Sequence, residues 1–243
     1  MISTLLMICA AMAPAIMLAY IITRRDEGEP EPRKWLIISA ASGIVAALLA
    51  VAAVMLTLPD FEVETFGGAI VDAFCRAAIP EECFKLLMLY LVAKCCESFN
   101  EVFDGIIYAV CVGMGFAGFE NILYLMNAGD GWLYTGIMRA LVSVPGHYFF
   151  GIIMGAFFSI SWFDIRNRTL NAFLALVLPV MAHGIFDTLL MAAPVAEYGA
   201  PLIALAFLLF FRQLRRYAAS LVDRRLALDR TVGKFNRRVS QEV

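Results

Sequence analysis

The sequence predicts an all-α fold: a polytopic transmembrane helical bundle of about seven spans, with the N-terminus outside and the C-terminal tail in the cytoplasm. Three observations lead there. Hydrophobic residues make up 62% of the 243 and charged residues 16%, with a mean hydropathy of +0.80, which is more apolar surface than one soluble core can bury. Apolar runs of membrane-spanning length recur along the chain. Lys and Arg alternate between successive connections.

A helix needs about 20 mostly apolar residues to cross the hydrocarbon core, because every backbone amide there must be bonded within the segment. The first run, 2–22, is longer than a signal-peptide core, lacks a basic start and enters the charged stretch TRRDEGEPEPRK, so it is expected to be a retained span. The second is 35–58. The segment FEVETFGGAIVDAFCRAAIP mixes apolar positions with Asp72 and Arg76 and is expected to lie along the outer interface until the chain turns inward at Pro80. Spans follow at 76–96, 103–126, 135–163, 170–192 and 197–212. The chain then divides into a transmembrane domain, 1–212, and a basic cytoplasmic tail, 213–243, in which RQLRRYAASLVDRRLALDR reads as an amphipathic helix on the inner leaflet.

Loop charges set the orientation. Residues 23–34 carry four Lys and Arg, Lys94 borders the next even-numbered connection, Arg166 and Arg168 lie in the following one, and the last 32 residues hold nine of the 19 in the chain. The connections 59–67, 127–134 and 193–196 contain none. That alternation is the positive-inside pattern, and it describes topology rather than nucleic-acid binding. The expected location is a membrane, crossed several times. The six cysteines include no CxxC or Cys/His zinc spacing and read as small apolar fillers. Cys95 and Cys96, near the inner boundary, are candidate palmitate acceptors.

A charged side chain at the centre of a bilayer helix costs roughly 3 kcal/mol on insertion scales, yet several occur. Glu81, Glu82 and Lys85 open the third span; Glu120 and Asn121 sit in the fourth; Arg139 and His147 occupy the fifth; His183 and Asp187 occupy the sixth. Given the orientation, all fall in the outer half of the bilayer. Glu81/Lys85 and His183/Asp187 are spaced i, i+4 on one helix face. Pro80, Pro145 and Pro179 accompany three of the clusters, where a missing N–H can open a turn to water or a substrate carbonyl. Gly113, Ala117, Gly151 and Gly155 would let neighbouring helices approach closely. Each feature alone has a plainer reading: a neutralised pair, a satisfied buried histidine, an Arg139 that snorkels to headgroups. Four carboxylates, two histidines and a lysine at similar depth argue against that account for the set.

At these residues the sequence resembles the PrsW family of bacterial and archaeal intramembrane proteases, related to the CAAX prenyl endopeptidases, which implies a multi-pass protein of a bacterial or archaeal cell membrane. The resemblance covers roughly residues 30–215 and rests on EECFK (81–85, EExxK), FAGFE (116–120, FxxxE), His147 in VPGHYFFG and HGIFD (183–187, HxxxD), in order on successive spans. It implies peptide-bond hydrolysis in or beside the membrane, on a single-pass membrane protein such as an anti-sigma factor. Amide hydrolysis needs an activated water, a partner for the oxyanion and an acid for the leaving amine. By analogy with the prenyl endopeptidases, Glu81 is the base and Glu82 positions it or supports the helix through Lys85. Glu120 shares the water or proton, His183 serves the oxyanion or leaving group with Asp187 fixing its tautomer, and His147 joins the same cavity, with Lys85, Asn121 and Arg139 in support. No cofactor is favoured. Zinc is the competing chemistry, with Glu81, Glu120, His147 and His183 as its ligands, although no HExxH occurs. Ser143 and Cys83 lack an evident base for a nucleophile scheme. A proton-coupled transporter or a non-enzymatic scaffold would bury similar groups, but no internal repeat accompanies them.

Overall fold

A computed structural model describes residues 2–26, 29–58, 63–196 and 199–239, with the side chains of 2–3 and 232–239 left aside. Helices account for nearly all of it, and no strand occurs among the described residues. In chain order they are α1 (Ile2–Thr23), α2 (Arg33–Thr57), α3 (Phe66–Val71), α4 (Ile79–Cys95), α5 (Asp104–Asn127), α6 (Trp132–Leu141), α7 (Ser143–Phe163), α8 (Arg168–Val195) and α9 (Ala200–Val239). Among the described residues, five stretches are long and apolar enough to cross a membrane: Thr4–Thr23, Arg33–Thr57, Asp104–Asn127, Gly129–Phe163 and Arg168–Val195. The protein is an all-α, polytopic membrane bundle.

Helix α5 is its axis, buried along most of its length and packed by α1, α2 and α7. Glycine makes the closest of these approaches possible. A Cβ on Gly155 of α7 would run into the carbonyl of Gly105 on α5, and one on Gly151 would stand 3.2 Å from the carbonyl oxygen of Ala109. The close packing expected at Gly151 and Gly155 is therefore present, between α5 and α7. Helix α8 completes the bundle against α7.

Two sequence expectations need correction. Pro80 does not turn the chain: Thr65 caps α3 by accepting from Gly68 N, and helical backbone then continues from Phe66 to Cys95 through a wide π turn, Asp72–Ala78. In that turn Ile79 N donates to Phe74 O, five residues back. The looser turn directly precedes the proline, whose missing N–H and bulky ring a regular turn would accommodate poorly. The segment 66–78 packs along α8, with the Phe74 ring so close to Gly184 that a Cβ there would collide with it.

The fifth span, 135–163, is likewise not one helix. It breaks at Val142 (φ −122°, ψ −66°) into α6 and α7. Pro145 supplies the cause, because its ring opposes the carbonyl four residues back, at Leu141, while its own missing N–H falls in the first turn of α7, where no intrahelical partner exists.

The 212/213 boundary falls inside one 40-residue helix, α9, and α9 packs on α7 and α8 instead of lying freely on a leaflet. Leu214, Ala218, Leu221 and Val222 are buried. Arg225 Nε donates to Ala156 O at 3.1 Å, and Asp229 accepts from Val102 N and Phe103 N at 3.1 and 2.8 Å. Cys95 is exposed, but Cys96 is buried with Sγ 3.3 Å from the Tyr108 hydroxyl, so of the two cysteines only Cys95 is accessible to an acyl chain.

Candidate active site

The polar residues of five helices, α4 to α8, converge on one cluster centred on a single ammonium group. Lys85 Nζ lies 3.1 Å from Glu81 Oε2, 2.9 Å from Glu82 Oε1 and 3.1 Å from His147 Nδ1. Its three protons thus have three acceptors. The same ammonium stands 3.9 Å over the Phe116 ring, a cation–π contact. Glu81, Glu82 and Lys85 come from the first turns of α4, where spacings of three and four residues put both carboxylates beside the lysine.

Two branches leave this centre. Because Lys85 donates to His147 Nδ1, the ring carries its proton on Nε2 and donates it to Glu120 Oε2, 3.0 Å away. Glu120 Oε2 also accepts from Arg139 at 2.6 Å, and Arg139 Nε donates to Asn121 Oδ1 at 2.6 Å. Asn121 in turn donates to Ala11 O on α1. The guanidinium stacks 3.8 Å from the Tyr124 ring. Arg139 therefore points inward, and the snorkelling alternative does not apply. The break at Val142 lets α6 carry it there.

The other branch runs through His183, whose Nδ1 is 2.9 Å from Glu82 Oε1 and whose Nε2 is 3.1 Å from Asp187 Oδ2 and 3.9 Å from Glu81 Oε2. Each ring nitrogen faces a carboxylate oxygen, an arrangement in which an imidazolium donates twice. The ring stacks on Phe150 at 4.7 Å, which holds its plane. Glu82 is fully buried, and its Oε2 has no hydrogen-bond partner among the described residues.

All nine residues singled out in the sequence belong to this network. They differ in access. A cavity of about 420 Å³ lies between α2, the 72–81 stretch, α5 and α8, and Glu81 and Glu120 are the members of the cluster on its wall. Glu82, Lys85, His147 and His183 are buried behind it. His147 thus supports the wall from behind instead of sharing the cavity, as the sequence had suggested. Glu120 is committed to two donors through one oxygen.

Sequence reasoning missed the opposite wall, formed by α2 residues including Ala47, Ala50 and Val54, and the mouth residues Asp72 and Arg76. Helix α2 is uncharged from Trp35 to Thr57 and gave no signal. Asp72 and Arg76, paired at 3.1 Å, were visible as charges but were placed at the interface.

Glu81, Glu82, His147 and His183 each offer a ligand atom, all within 4.8 Å of one another. Two imidazoles and two carboxylates suit zinc in type. Compared with the set expected from sequence, Glu82 replaces Glu120, whose Oε2 is held by Arg139. Charge balance also fits a divalent ion: four carboxylates (Glu81, Glu82, Glu120, Asp187) face two permanent cations, Lys85 and Arg139, and burial demands that the remainder be compensated by protons or by metal.

The family model described as PrsW family intramembrane metalloprotease matches residues 31–213. The chain is 33% identical over 211 residues to the Protease PrsW of Geobacillus kaustophilus, covering 86% of this chain and 90% of that protein. It is 34% identical over 182 residues to the Protease PrsW of Oceanobacillus iheyensis (74% and 81% covered) and 32% identical over 187 residues to that of Bacillus subtilis (76% and 83%). No solved structure matches. A match spanning α2 to α9, over a membrane bundle whose four sequence motifs meet at one buried lysine, gives a single assignment: this chain belongs to the PrsW family of intramembrane proteases.

Proposed function

We propose that the chain is an endopeptidase that cuts a single-pass, membrane-anchored protein near the outer side of the cell membrane, in regulatory proteolysis of the anti-sigma-factor kind, with Glu81 activating the water. The observation that carries this reading is the position of Glu81. It is on the cavity wall, engages Lys85 through Oε2, and its Oε1 makes no hydrogen bond among the described residues. The outer-side placement comes from the loop charges.

In this mechanism Glu81 Oε1 takes a proton from a water in the cavity as the water oxygen bonds to the scissile carbonyl carbon. When the C–N bond breaks, Glu81 returns that proton to the leaving amine. Lys85 and His183, both within 4 Å of Glu81 Oε2, balance the charge that moves between the carboxylate and the tetrahedral oxyanion. Glu82 holds both of them, Asp187 orients His183, and the Arg139–Glu120 pair fixes the tautomer of His147.

A second reading is favoured by the ligand group and the family description. Zinc held by Glu81, Glu82, His147 and His183 would lower the pKa of its bound water and polarise the carbonyl, with Lys85 giving up part of its present set of partners.

The test is cleavage of a membrane-peptide library by chelator-treated protein, with Glu81→Gln and His183→Ala variants and metal content assayed in parallel. Cleavage that survives chelation and fails in both variants supports glutamate chemistry. Loss on chelation, restored by zinc at one bound ion per chain, assigns the metal mechanism. A wild type that cuts nothing under either condition sinks the protease reading.

A further inference from the structure

The cavity has a second wall that the chemistry leaves unused. Glu81 and Glu120 lie on one side, and Ala47, Ala50, Val51, Val54 and Met55 of α2 on the other. Their spacing places these five residues on one face of the helix. Ala47 and Ala50 are only 3% exposed, and they pack with Phe116 and Met88 at the closed end. Val51 and Met55 are exposed towards the surroundings of the bundle.

The reason the cavity exists is a crossing lower on the same helix. A Cβ on Gly43 would collide with the backbone of Val112 and Phe116, and one on Gly115 with the backbone of Ala40, so α2 and α5 touch backbone to backbone there. Beyond that point the wall residues separate α2 from α5 and from the 72–77 stretch, and the gap between them is the cavity.

From this we infer that the α2 face is the specificity wall of the protease: the notch at Ala47 and Ala50, closed by Phe116 and bounded outward by Val54, takes one bulky apolar side chain of the substrate beside the scissile bond. The inference deepens the proposed function and rests on Glu81 as the group that activates water. Small residues at the closed end leave volume that a leucine, methionine or phenylalanine can fill. The apolar lining disfavours a charged residue at that position, whereas Asp72 and Arg76 at the mouth tolerate polar groups further along the chain. An unwound segment of a transmembrane helix supplies such residues.

Two readouts test this, one of them free of turnover. Cut sites in a library of single-span peptides, read by mass spectrometry, are expected to show Leu, Met or Phe enriched at one fixed position from the cut. Ala50→Phe fills the notch and should shift that preference towards Ala by about tenfold or more, the scale on which apolar pockets discriminate by size. Val54→Ala should shift it the other way, towards larger side chains, a gain that misfolding cannot imitate. Photo-crosslinking of single-span peptides bearing Ala, Leu or Phe to the Glu81→Gln protein, with and without the same two changes, reads the preference as binding. Uniform loss with Ala50→Phe and no change with Val54→Ala would overturn the inference. If the wild type cuts nothing but capture by Glu81→Gln still orders peptides by size, the protease reading fails and the pocket stands; capture without size ordering removes the pocket as well.

Discussion

Two groups of carboxylates gather at the two ends of helix α5, which contributes Asp104 to one and Glu120 to the other, and the groups are neutralised differently. Towards its C-terminal end Glu120 meets Arg139 and His147, and through them Glu81, Glu82 and Asp187 share Lys85 and His183. At its start, Asp104 accepts from the backbone N–H of Asn100 and Glu101, Asp229 accepts from Val102 and Phe103, Glu29 accepts from the Asn100 side chain, and Glu31 accepts from the Tyr108 hydroxyl. The first group is held by side-chain cations and imidazoles inside the bundle. The second uses main-chain donors and neutral groups at loop ends. Buried cations balance charge and can exchange protons, so they suit chemistry. Backbone donors only fix geometry, and here they tie α9 and the α4–α5 turn together.

The sharpest break in this comparison is Glu81→Gln, which keeps the shape of the side chain and removes the base. Turnover should fall roughly 10²–10⁴-fold, with thermal unfolding in detergent little changed. A variant that retained activity would put the base elsewhere. Lys85→Met is expected to cost stability as well as activity. It strands three acceptors in a water-poor centre, and losing one partner of a buried ionic network typically costs about 3–5 kcal/mol; a melting temperature equal to the wild type's would show that the carboxylates are neutralised by other means.

At the other end the effects should be smaller. Asp229→Ala leaves two N–H groups at the α4–α5 turn without their acceptor, a loss of about 1–3 kcal/mol. Limited trypsin digestion should then cut faster near Arg224 and Arg225, while peptide cleavage stays close to normal. The smallest effect is one of pH. Burial first, then the nearby Asp229 and Asp104 carboxylates, push Glu101 up to about 7 from an ordinary 4.5, and burial likewise raises Asp229. Because the folded state holds the Glu101 proton more tightly than the unfolded chain, its contribution to stability is fully present below about pH 4.5 and is lost as pH rises through 7. Digestion of α9 should therefore accelerate across that interval, and Glu101→Gln should flatten the profile; an unchanged profile in that variant would assign the titration to a neighbour.

Much of the site could be read from the sequence because a charge in an apolar run is costly and therefore conspicuous. Glu81, Lys85, Glu120, His147, His183 and Asp187 stood out one by one, and the four-residue spacings showed which shared a face. Other parts gave weaker signals. Pro145 was read as opening a turn, but that it splits the fifth span at Val142, and so turns Arg139 towards Glu120, depends on where the α6 and α7 axes pack. Pro80 looked like a corner, yet the π turn before it absorbs the ring and keeps the helix going. Asp229 looked like one charge among many on a basic tail; its role depends on two backbone N–H groups more than 120 residues away.

By itself the sequence determined the all-helical membrane fold, the identity of the polar residues and their pairing within each helix, because hydrophobic length, loop charge and helical period are local properties of the chain. Only the tertiary structure decided that Lys85 is the shared centre, that Glu81 faces the cavity while Glu82 is sealed behind it, and that uncharged α2 forms the facing wall. Those outcomes depend on distances between helices, which glycine contacts at Gly43, Gly105, Gly115 and Gly155 set. No periodicity within a single helix encodes which neighbour it will touch or at what depth.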